Sequence, residues 1–123
     1  MRRSREDRGQ AAVELALVLP VVCLLLLAVV QVGLVVHAQL LVVHAAREGV
    51  RAAAVDESFP AARLAVVAGT PLDPDRVTVG TADAGDGRVR VVVHYRFSTD
   101  VPLIGAMLGD IDLTAAAVMR REY

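Results

Sequence analysis

Glu14 directly precedes an uninterrupted apolar run, with Ala11, Ala12 and Val13 before it. A carboxylate in a membrane helix costs about 2.5–3.5 kcal/mol at the bilayer centre and less toward its edge. Two chemical uses fit that position. The carboxylate can snorkel to the interface, aided by the positive end of a helix, or it can wait for a cationic partner inside an assembly. His37 and His44 offer imidazoles seven residues apart. On a helix that places them on one side but two turns apart, about 10 Å along the axis. One metal ion cannot bridge that distance without ligands from elsewhere, so a solvated helix face is the default and no metal or cofactor is expected. The single cysteine, Cys23, lies within the apolar run. A thiolate is disfavoured there, and it has the size and polarity of a small packing residue. No Gly-rich phosphate loop, HExxH, CxxC or GxSxG pattern occurs, and serine occurs only at Ser4, Ser58 and Ser98. These absences argue against an enzyme and a small-molecule substrate.

The elements that position these groups follow from composition. The chain has 123 residues, room for one domain. It is 55% hydrophobic but only 3% aromatic, with a net charge of −1 and a mean hydropathy of +0.53. Extended disorder is excluded by that hydrophobicity. Nucleic-acid binding is disfavoured by the missing positive charge and the scarcity of stacking rings. All 13 basic residues are Arg, which reads as a GC-rich coding bias rather than as chemistry.

The apolar excess is concentrated from Leu15 to Val36, where Gln31 is the one polar residue and nothing is charged. As a helix this run is about 33 Å long, enough to cross a hydrocarbon core of about 30 Å. The rest of the chain is too small to surround a helix apolar on every face. The run also exceeds the 7–15 residues or so of a signal-peptide core, and no small-x-small cleavage site follows it. A retained anchor is therefore expected. Arg2, Arg3, Arg5 and Arg8 outnumber Glu6 and Asp7 on the tail before it. By the positive-inside rule the tail is cytoplasmic, and residues from about His37 onward lie outside.

Arg8-Gly9-Gln10-Ala11-Ala12-Val13-Glu14, followed by the long apolar run, resembles the class III signal peptide of type IV pilins and pseudopilins. Pro20, Gln31-Val-Gly33, the block Ala45-Ala46-Arg47-Glu48-Gly49-Val50-Arg51 and the closing Val118-Met119-Arg120 are similar to the TadE-like family of Tad (tight adherence) pilus systems. The resemblance covers residues 8–55 well and the rest more loosely. It implies cleavage by a prepilin peptidase between Gly9 and Gln10, on the cytoplasmic side. It also implies an assembly role for Glu14, whose carboxylate would pair with the new amino group at Gln10 of a neighbouring subunit and set a stagger between packed helices. A glycine before the scissile bond suits close approach by a protease.

Beyond the span, residues 37–55 continue as a helix. His37, His44, Glu48 and Arg51 form one stripe, with Leu40, Val43, Val50 and Ala54 as an apolar stripe beside it. Gly33 and Gly49 are weak points of that helix, and Pro20 is a place for a kink. A short helix over 60–68 is expected, capped by Ser58 and stopped at Gly69. Then the period changes to two. Strands are expected near 76–82, 88–97 and 111–120, with a turn over Asp83–Gly87. Val89, Val91, Val93, Tyr95 and Phe97 share one face, while Arg88, Arg90, His94 and Arg96 share the other. The connection Val101–Leu108 is apolar throughout. It either folds over the end of the core or meets another subunit or the membrane.

The expected fold is α+β and pilin-like, in three parts. A basic leader spans 1–9, a transmembrane helix 10–36, and an extracytoplasmic head 37–123, in which the long helix packs on an antiparallel sheet of about three strands. The expected function is that of a minor pilin or pseudopilin in the cell (inner, cytoplasmic) membrane. Its partners would be the prepilin peptidase, other pilins, Tad-type assembly proteins and the lipid bilayer. Two alternatives stay open. One is an uncleaved single-pass protein with a partner-binding head; the other is an uncleaved accessory subunit of the same machine.

Overall fold

A computed structural model describes residues 2–56, 58–98 and 104–122. Helix α1 runs from Arg2 to Val55, 54 residues or about 80 Å. Its Leu- and Ala-rich sequence favours that state throughout. The helix passes through Pro20 without interruption. It also takes in Gly9 and Gln10, so the basic tail and the apolar run are one element.

The end of α1 is defined chemically. The Asp56 N–H closes the last turn on the Ala52 carbonyl at 2.9 Å. The Asp56 carboxylate then accepts the Ser58 N–H at 2.9 Å, and hydrogen bonding from Ser58 holds its pKa below the ordinary value. Helix α2 follows, Phe59–Gly69, with Pro60 in its first turn, where a missing N–H costs nothing. Ser58 occupies the N-cap position, but its side chain makes no capping bond; the Asx turn from Asp56 organises the approach instead. Gly69 is the last helical residue. The stop is Thr70, whose buried hydroxyl donates to the Val66 carbonyl at 2.5 Å.

A 3₁₀ turn at Pro74–Arg76, nucleated by the Asp73 carboxylate on the Asp75 N–H, leads into β1, Val77–Gly85. Strand β2 is Arg88–Phe97 and β3 is Ile111–Arg120. They form one antiparallel sheet in the order β1-β2-β3. Between β1 and β2 the two turn residues, Asp86 and Gly87, have φ of 52° and 71°, the left-handed pair that matches strand twist. β1 extends past the expected 82 because Asp83 still pairs with Val89, and an irregularity between Asp83 and Gly85 absorbs the rest. In the connection after β2, Val101–Leu103 lie outside the described residues. Ile104–Leu108 form a one-turn helix, α3.

The core is small and aliphatic. Val89, Val91 and Val93 are buried, their alternation fixing the sheet's inner face. Leu113 joins them from β3, with Ile111, Ala115 and Ala117 packed against the core; Met119, next in the same alternation, is exposed. Against this face lies the outer part of α1, with α2 beside it.

The buried stripe of α1 differs from the expected one. It consists of Ala38, Val42, Ala45, Ala46, Gly49, Val50, Ala53 and Ala54, while Leu40 is 64% exposed and Val43 only half-buried. The reason is steric. Small residues let a helix approach a valine-rich sheet closely, and the point of closest approach is Gly49. A Cβ there would stand 3.0 Å from Val66 Cγ2 and 3.1 Å from Val91 Cγ1. Gly49 is thus a close-packing position where α1, α2 and β2 meet, and no break in the helix occurs there.

Candidate assembly segment

Gly9, Gln10 and Glu14 all lie on α1 and all are exposed. A side chain at Gly9 would meet no atom within 4 Å, so its surroundings are open to a large partner. Gln10 and Glu14 are spaced i,i+4, one above the other on one helix face and about 6 Å apart along the axis. The fold brings nothing of the head to them, because α1 is exposed at every described side chain up to Leu26 and first becomes part-buried at Leu27. Whatever meets Glu14 is therefore lipid, water or another molecule.

The segment that follows is exposed on every side as far as Leu26, and part-burial begins at Leu27 and Ala28. The large side chains of Val13, Leu15, Leu17, Val18, Leu19, Val21, Val22, Leu24, Leu25, Leu26, Val29 and Val30 all face outward, and Cys23 is exposed among them. A surface of that kind is not tolerated in water, and by length and hydropathy the helix is able to cross a membrane. Gln31 marks the change, with 2% exposure. Sequence reasoning had no signal that this polar residue of the span is buried. Gly49 did have one, the small-residue block around it, but small residues carry little weight beside leucine when a buried stripe is sought.

The remaining polar candidates are solvated. His37 and His44 are exposed, and the described residues contain no cluster of three potential metal ligands. Arg88, Arg90, His94 and Arg96 lie on the sheet's outer face as their alternation predicts. An open depression of about 540 Å³ crosses that face, lined by Asp75, Arg76, His94, Arg96, Asp110 and Asp112 among others. Several of its groups have partners. Arg96 stands 3.9 Å from Asp112 within it, and two more of its groups are held by neighbours, Arg76 at 3.7 Å from Asp73 and His94 Nδ1 at 3.0 Å from the Thr114 hydroxyl. Exposed pairs of this kind contribute little energy.

The segment carrying Gly9, Glu14, the apolar run and the small-residue face can be compared with known families as a unit. Residues 9–51 match the family model for TadE-like protein. That segment is similar to TadE-like proteins. No curated protein and no solved structure matches the chain. The TadE-like segment opens at Gly9 and closes at Arg51, two residues past the close approach at Gly49. It therefore contains the whole apolar run and most of the helix face on which the head is built. The TadE-like family is structural and pilus-associated. A TadE-like segment that is one long apolar helix fits a membrane-anchored, pilin-like protein.

Proposed function

We propose that the protein is a minor pilin or pseudopilin of a Tad-type pilus or secretion assembly, held in the cell membrane by α1 with its basic end cytoplasmic and its head outside. One observation carries this reading. The TadE-like segment spans a helix whose apolar run is bare on all sides as far as Leu26 and whose second half carries a head. Its chemistry is packing rather than catalysis. Cleavage by a prepilin peptidase after Gly9 leaves an ammonium at Gln10, one turn from Glu14. In a lipid environment an unpaired carboxylate is costly. A neighbour's Gln10 ammonium beside Glu14 removes that cost and fixes the axial stagger of two α1 helices. The same pairing within one chain sets no stagger. The role of Glu14 in assembly therefore rests on contact between subunits.

The unbroken helix through Gly9 and Gln10 favours a second reading, an uncleaved single-pass protein whose head binds a partner. A bond inside a helix must unwind before a protease reaches it, although this one lies near the frayed end. Intact mass of the chain purified from membranes, with and without a prepilin peptidase, separates the two. Peptidase-dependent loss of residues 1–9 is the expected result. A full-length mass in both strains removes Gly9 and Gln10 as a processing site and leaves the second reading.

A further inference from the structure

The base of the head overlaps the apolar span, and the overlap can be located. Gln39 Nε2 donates to the Thr114 carbonyl at 3.3 Å, which sets Thr114 of β3 level with Gln39 of α1. Further along, the Glu122 N–H reaches the Ala54 carbonyl at 2.9 Å, so β3 and α1 run in the same direction. Ile111, three residues before Thr114, is then about 10 Å nearer the cytoplasmic end. That equals six or seven helical residues or so, so the first residue of β3 stands beside Val32–Gly33. Helix α3 precedes it and touches α1.

At this same level α1 is still a lipid-seeking helix. No charge occurs between Glu14 and His37, and Val32, Leu34 and Val36 are exposed on the sides the head leaves open. A bilayer that covers these residues reaches about 7.5 Å past Gln31, and it then meets the base of the head on the side that the head covers. The part of that base formed by α3 suits lipid, while Asp75, Arg76, Arg96, Asp110 and Asp112 charge the part beside the sheet's outer face. Gly105, Ala106 and Met107 carry no charge. Met107 is 85% exposed, the most exposed large apolar side chain among the described residues. The turn of α3 closes on itself through the Gly109 N–H and the Gly105 carbonyl at 3.0 Å, as backbone at membrane depth requires. Asp110 and Asp112, both exposed, limit how deep it sits. Gln31 is shielded from hydrocarbon on the face that the head covers.

We infer that α3, through Met107, is a second membrane contact, lying in the interfacial layer beside the last turns of the span and fixing the head's tilt against the bilayer. The occupant is lipid rather than a second copy, because α3 stands against α1 at the level where Val32, Leu34 and Val36 are exposed. The inference rests on the reading of α1 as an anchor, and its test separates the two.

The full chain carrying Cys23→Ser, reconstituted in phosphatidylcholine–phosphatidylglycerol vesicles, receives one environment-sensitive thiol probe by Met107→Cys, Leu25→Cys or Leu64→Cys. Leu64 is exposed on α2, on the head, and reports water. The probe at 107 is expected to be blue-shifted, quenched by lipid carrying a shallow nitroxide, and quenched by aqueous iodide about threefold less than the probe at 64. A spectrum and iodide quenching at 107 equal to those at 64, with the probe at 25 lipid-shielded, overturns the proposal and leaves the anchor intact. Shielding at 107 without nitroxide quenching means a second copy covers it, which also overturns the proposal. Iodide quenching at 25 as strong as at 64 overturns the anchor reading itself, and this contact with it.

Discussion

The two halves of α1 solve opposite problems with similar residues. From Leu15 to Leu26 the side chains are mostly large, all uncharged, and bare around the whole circumference. From Ala38 to Ala54 one stripe is buried and built largely from Ala and Gly, with His37, His44, Arg47 and Arg51 on the open side. The bulk of the first half suits fluid lipid, which moulds to any shape. The second half needs smallness because its partner is a fixed valine sheet that cannot move away. One continuous helix thus carries two different packing codes, and the change falls between Gln31 and His37.

The contrast can be tested from both sides. The largest effect is expected at the centre of the first half. Leu24→Arg places a charge where it costs about 3 kcal/mol, and the chain should move from the membrane fraction to aggregates after alkaline extraction. In the second half, Gly49→Leu forces a side chain between Val66 and Val91. It should destabilise the head by about 2–3 kcal/mol in denaturant titration of the reconstituted protein. Val42→Ala should cost about 2 kcal/mol through lost burial and the space left behind. Leu40→Ala, two residues away, should cost less than about 0.5 kcal/mol. Equal losses at 40 and 42 would undo the assignment of the buried stripe.

The smallest effect is expected at Asp56. Its pKa is lowered in the folded chain by hydrogen bonding from Ser58. The folded value lies below the unfolded one, so its contribution is present above the reference value of 3.8 and is lost as pH falls through the lowered value. The stability difference between the wild type and Asp56→Ala should therefore be small at neutral pH and should vanish in that acidic window.

Much of this architecture is legible in the residues, and the exceptions have physical causes. Strands β2 and β3 are plain because strict alternation from Val89 to Phe97 and from Ile111 to Ala117 has no helical reading. The span is plain because a 22-residue run with no charge has few other uses. The buried stripe of α1 was hidden, since the exposed Leu40 outweighs alanine on any hydropathy count while the sheet selects for closeness. The cap of α2 was hidden for a related reason. Ser58 has the favoured side chain, yet the Asp56 carboxylate two residues earlier binds the Ser58 N–H and organises the turn. The placement of Gln31 depends on where the base of the sheet falls along α1, a tertiary distance that no local pattern encodes. For Gly9, Gln10 and Glu14 the sequence supplies the motif and the fold supplies an open helix surface. Their chemistry depends on molecules beyond this chain.

The most direct test of the two-code account is cysteine scanning along α1 in intact membranes, in the Cys23→Ser background, with a membrane-impermeant thiol reagent. The account predicts an unbroken block of protection from Leu15 to Val36. From His37 to Val55 protection should recur with helical period, reactive at 37, 40, 44 and 51 and protected at 42, 45, 49 and 53. Periodic reactivity beginning inside the 15–30 stretch would mean that protein, not lipid, surrounds the first half, and would contradict it.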